Sequence, residues 1–126
     1  MKHTFNTKIK LFTLFLFTLF IACTTIASIP IEPVMPKEHT LDSLTKYESQ
    51  LLEYVIYLQV FLVNTKKKVN DKDYPTFTFF NTNKLESTQT INALKANIAY
   101  MKEYISLTKP IAEAVYRKYS KQINHK

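Results

Sequence analysis

Cys23 is the only cysteine of the chain and stands directly after Ala22, at the end of a long apolar run. A single thiol can neither close an internal disulfide nor build a cysteine-based zinc site, because each needs at least two sulfurs held together. It can, however, be alkylated to a thioether that carries a lipid. The histidines offer no base or metal ligand on a packed element: His3 lies near the start, His39 at a junction and His125 beside the end. Glu48 and Glu53, or Glu103 and Glu113, are spaced too far apart to share a helix face at adjacent turns, so they read as solubilising charges. Zero glycines removes the phosphate-cradling loops that need a residue without a Cβ. Nucleophile–base, metal-ligand and cofactor constellations are all missing their usual parts, and the chain reads as a non-enzyme without cofactor.

The formal charge of +7 suggests an anionic partner. Lys2, Lys8 and Lys10 fall in a stretch expected to be removed, which leaves a mildly basic mature protein of about +4. Arg117 is the lone arginine, and bidentate reading of bases relies mainly on Arg, so sequence-specific nucleic-acid binding is not expected. The charge run on the mature part is Lys66, Lys67, Lys68 and Lys72. At a helix C-terminus these lysines simply offset the macrodipole. Should three helices run up, down and up, Arg117, Lys118, Lys121 and Lys126 would approach them at the end far from the bilayer. That patch would suit a glycosaminoglycan or an acidic host protein; should Pro110 only kink a continuous helix, the two clusters would separate.

Residues 1–10 are basic and acid-free, and residues 11–22 are apolar apart from two threonines, which is the layout of a secretory signal. As a helix the run would reach about 18 Å, against a hydrocarbon core of about 30 Å. It is too short to span, and extending it to Ile31 would have to absorb Ser28 and Pro30. Leu19-Phe20-Ile21-Ala22-Cys23 resembles a bacterial lipobox, with the departure that Phe20 stands where Leu, Val or Ile is usual. That resemblance implies cleavage before Cys23 and its acylation, with three chains giving effectively permanent membrane attachment. The alternatives are an ordinary secretory cut after Ala27, which discards Cys23, and a retained single-pass anchor.

After Cys23, Pro30, Pro33 and Pro36 are spaced by three, matching the turn of polyproline II. Residues 23–37 therefore read as the lipidated terminus and a semi-rigid stalk of roughly 20–40 Å, with a docking peptide as the alternative. Residues 1–22 form the signal and residues 38–126 the helical domain.

Within that domain Leu41, Leu44, Leu51, Val55, Leu58 and Leu62 recur at three- and four-residue steps, which predicts a helix over residues 40–69 capped by Thr40. Residues 70–83 break the period, and Phe77, Phe79 and Phe80 are expected to fold over the open end of a helical pair, the alternative being an exposed aromatic binding loop. Leu85, Ile91, Leu94, Ile98, Met101 and Ile105 restore the period from about residue 84 to 107. Pro110 predicts a third short helix over residues 109–123 with Thr108 as cap, or else a kink. The expectation is an all-α fold: a small antiparallel bundle of two long helices and a short C-terminal one, with the homodimer as a way to cover any remaining apolar face. Tyrosines within the helices are expected to bury their rings and keep their hydroxyls wet, or to form a contact face.

The export signal, the loose lipobox at Cys23, a composition heavy in Lys, Asn, Ile and Phe, and a small helical mature part together resemble the plasmid-encoded surface lipoproteins of Borrelia-type spirochaetes, in particular the Orf-D-like members. The resemblance implies a lipid-anchored outer-membrane protein, host-facing or antigenic, for which Cys23 is the one functional residue carried over. An envelope-internal structural or assembly lipoprotein is the competing reading.

Overall fold

The computed structural model describes residues 28–123. Two long helices carry it, α1 (Leu41–Val69) and α2 (Ile91–Ile123), with a short 3-10 turn at Thr82–Lys84 between them, and no strand occurs among the described residues. The all-α expectation holds. At 29 and 33 residues the helices are about 44 and 50 Å long.

Local chemistry sets the ends of α1. Thr40 stays extended and its hydroxyl accepts from the Ser43 amide, while Ser43 Oγ accepts from the Thr40 amide, a reciprocal box that satisfies two otherwise orphaned donors. Asn70 ends the helix in the left-handed region at φ 46°, and its amide donates to the Lys66 carbonyl. In a chain without glycine, Asn is the residue type that takes this conformation at least cost.

The two helices run in the same direction. Near one end Asn97 Nδ2 of α2 donates to Glu48 of α1 at 2.6 Å. At the other end Tyr119 Oη donates to Asp71, just past α1, at 2.7 Å. The sequence separations of these pairs are 49 and 48, nearly equal at the two ends of the helices, which only a parallel register allows. The antiparallel arrangement expected from sequence is corrected here. Its physical basis is the connection: residues 70–90, extended at about 3.3 Å per residue, span well over the length of α1 and so can return the chain to the starting end. Leu44, Leu51, Val55, Leu58 and Leu62 bury one stripe of α1, and Leu94, Ile98, Met101, Ile105, Ala112 and Val115 bury the stripe of α2 that meets it.

The return strap covers one side of this pair. Phe77 and Phe80 pack against the core and Phe79 stays 65% exposed, so the aromatics lie along the flank of the helices and do not close their end. Phe80 stacks on Tyr100 at 4.9 Å and meets the edge of Tyr104 at 5.2 Å, and its amide donates to Gln59 Oε1 at 2.8 Å. Because the strap occupies residues 81–90, α2 starts at Ile91 with the Thr90 hydroxyl accepting from the Ala93 amide, later than the period alone suggests.

The short third helix is not separate. α2 continues through Pro110, which sits on the exposed face, and Thr108, read as a cap, is buried within the helix. The apolar row Ile105, Ala112, Val115 and Tyr119 stays on the core across the proline, and that burial outweighs the one lost backbone bond. Pro110→Ala should therefore raise stability by about 2 kcal/mol in urea unfolding, with unchanged helical content. Asn97→Ala should cost about 2–3 kcal/mol, because it leaves the Glu86 amide and Glu48 without their shared partner.

Candidate functional site

Residues 28–36 carry no helix and lie in the groove on the side of the helical pair away from the strap. This arm was expected to be a stalk standing off the body, and from Ser28 onward it is docked. Tyr57 Oη donates to the Ser28 carbonyl at 2.9 Å, and Glu32 pairs with Lys109 of α2 at 3.0 Å. The half-buried positions of the arm are Ile29, Glu32, Pro33 and Pro36. Beneath the arm, burial pushes the Tyr47 and Tyr54 phenols above their ordinary value, with the nearby Glu32 carboxylate adding to the effect in both. Their hydroxyls meet no hydrogen-bonding group of the described residues. Lys109 is held above the ordinary lysine value first by its bond to Glu32.

The arm has a direction. Ser28 shares a groove with Tyr116 and Arg117, Val34 shares one with Gln50, and Thr40 caps the start of α1. Followed backward from Thr40, the chain climbs toward the end where both helices finish.

At that end the parallel register brings together the two basic clusters named from sequence. Lys66, Lys67, Lys68 and Lys72 come from α1 and the turn after it, and Arg117, Lys118 and Lys121 from the last turns of α2, all exposed. The sequence argument tied this meeting to a break at Pro110. The helix is continuous and the clusters meet all the same, because a parallel pair puts both C-termini at one end. Asp71 is the hinge of the arrangement. Its Oδ1 accepts from the Asp73 amide at 2.9 Å, and its Oδ2 accepts from Tyr119 at 2.7 Å and from Lys118 at 3.4 Å. Tyr119 stacks on Tyr74 at 5.7 Å, and Lys118 Nζ lies 4.9 Å over the Tyr119 ring. Tyr74 donates to the Leu62 carbonyl at 2.8 Å, and burial pushes its phenol up to about 12.

Asp71, Tyr74 and Tyr119 were not singled out as a cluster by sequence reasoning. The signal that could have found them is the Asn70-Asp71-Lys72-Asp73 run, whose short acidic side chains favour a turn closed on its own backbone. Cys23, His3, His125 and Lys126 lie outside the described residues. Among the described residues no group of three or more His, Cys, Asp and Glu could hold a metal ion, and no helix is long and apolar enough to cross a membrane.

The described residues thus form a parallel helical pair, covered on one side by the return strap and on the other by the N-terminal arm. The chain belongs to the Borrelia orf-D family, whose family model matches residues 28–121, arm and both helices together. It is similar to the outer membrane lipoprotein BBA14 of Borreliella burgdorferi, 54% identical over 102 residues that cover 81% of this chain and 84% of the relative. The protein is thus a lipid-anchored protein of the outer membrane, and neither name is that of an enzyme.

The Asp71 carboxyl is held below its ordinary value of 3.8, first by the Asp73 amide and then by the Tyr119 hydroxyl. A depressed carboxyl stabilises the fold above its unfolded pKa, and that contribution is lost as pH falls through the folded pKa. Acid unfolding followed by circular dichroism below pH 3.8 should therefore be less steep in Asp71→Asn than in the parent.

Proposed function

We propose that the chain is acylated at Cys23 and acts, without catalysis, as an outer-surface module that presents its helical body to host macromolecules. The supporting observation is the docked arm. Four residues lie between Cys23 and Ser28, so an acylated Cys23 would stand at most about 18 Å from the docked arm and hold the body close to the bilayer. The end carrying the Thr40 and Thr90 caps is then the end presented outward. There Leu41 and Ile91 are 46% and 40% exposed, giving a protein partner an apolar centre inside a polar rim of Glu38, Asp42 and Glu86.

A second reading, an envelope-internal assembly lipoprotein, is favoured by Ile56 and Val60. They stand four residues apart on one face of α1, each 48% exposed, and would suit lateral pairing with a second copy or another bacterial protein.

Protease treatment of intact cells separates the two: degradation is the expected outcome, and full protection until the envelope is broken would reject the surface reading. Mass spectrometry of the mature N-terminus should show an acylated Cys23. In Cys23→Ser the protein should leave the membrane fraction on washing in high salt, which the acylated parent should resist.

A further inference from the structure

We propose that the basic end of the helical pair faces the membrane that holds the protein's own anchor, and that its lysines contact anionic lipid headgroups there. The inference rests on the reading of Cys23 as the acylated residue and adds to it an orientation and a second membrane contact.

Three observations converge on it. The first is the direction of the arm. Ser28 is bonded to Tyr57, and the arm climbs from Thr40 toward the C-terminal ends of both helices. The second is the length of chain left over. Cys23 lies within about 18 Å of Ser28, whereas the start of α1 lies about 24 Å from Tyr57 along the helix axis, in the opposite direction from the one the arm is taking. A bilayer at Cys23 is therefore within reach of the lysine end and out of reach of the capped end. The third is charge. Lys66, Lys67 and Lys68 of α1 stand with Lys72, and Arg117 and Lys121 of α2 reach the same end, while the acids near them are Asp71, Asp73 and, one turn before Arg117, Glu113. Asp71 is already engaged by Tyr119 and Lys118.

Offsetting two helix dipoles explains cations in the last turns, and it does not explain Lys72, which lies beyond α1 in the turn. Basic side chains next to a lipid anchor are attracted to an anionic leaflet and supply the second signal that strengthens attachment. The sequence-based expectation placed these lysines at the end far from the bilayer; the proposed orientation turns them toward it. A glycosaminoglycan or acidic protein at the same lysines would need that end to face outward.

The test uses the acylated full chain reconstituted in vesicles of phosphatidylcholine, alone or mixed with phosphatidylglycerol. Acylation consumes the only native thiol, so Asn64→Cys near the basic end and Ser49→Cys near the capped end each give one labelling site on an exposed face of α1. Energy transfer to a headgroup dye should be stronger from position 64 than from position 49. It should rise further when phosphatidylglycerol is present and fall back in high salt or in Lys66→Glu/Lys67→Glu/Lys68→Glu. Equal or stronger transfer from position 49, or indifference to phosphatidylglycerol and to charge reversal, overturns the proposal.

If the mature chain proves unacylated, the anchor reading fails by itself, and the lipid contact is still decided by sedimentation of Cys23→Ser with phosphatidylglycerol vesicles. Binding that the triple charge reversal weakens by about tenfold supports the contact, and absence of binding overturns it. Lysine-dependent retention on heparin, with no response to phosphatidylglycerol in the vesicle experiment, would assign the end to a polyanion and overturn the proposal.

Discussion

Two parallel helices need a way back, and the structure depends on how that way back is satisfied. Apart from the turns at Asp71–Tyr74 and Thr82–Lys84, the return strap and the N-terminal arm are irregular backbone with no neighbouring strand, so their amide and carbonyl groups cannot pair in a ladder. Side chains of the helices do the pairing. Tyr104 donates to the Thr78 carbonyl at 2.9 Å, Tyr100 to Asn81 at 3.3 Å, and Tyr57 to Ser28 at 2.9 Å. Gln59 accepts from the Phe80 amide, and Asn97 both accepts from the Glu86 amide and donates to its carbonyl. The tyrosine rings fill the space between helix and strap while their hydroxyls fasten it.

This division of labour explains what was legible in the sequence. The apolar rows gave both helices, and Thr40, Lys66, Lys67 and Lys68 gave the ends of α1. Orientation was not legible, because a stripe at three- and four-residue spacing reads the same whether its partner runs with it or against it. What distinguishes the two is Asn97 against Glu48 and Asp71 against Tyr119, polar pairs almost fifty residues apart that no local pattern links. The strap tyrosines were hidden for a related reason. Their partners are backbone carbonyls, which carry no side-chain identity. Pro110 misled because its local cost is real, yet a continuous core row on the opposite face of α2 outweighs it.

Of the candidate site, the lysines were legible as residues and their meeting was not. The sequence argument assembled them through three alternating helices, and the chain assembles them through two helices that agree in direction. A parallel pair also stacks the negative ends of both macrodipoles together, a repulsion that an antiparallel pair would cancel. The cations at that end relieve it, so one surface serves the stability of the fold and sets the sign of the field the protein presents.

The docked arm has a mechanical meaning as well. A pull on Cys23 reaches the body at Ser28 and acts along a segment that runs antiparallel to α1, so the load opens contacts one after another: first Tyr57 from Ser28, then Glu32 from Lys109. Each release lengthens the leash by a few residues, and full release of residues 28–39 would add about 40 Å of slack before tension arrived at the Thr40 box. Were Cys23 the anchored residue, such an arm would act as a sacrificial extension, letting the body swing away from the bilayer with both helices still folded.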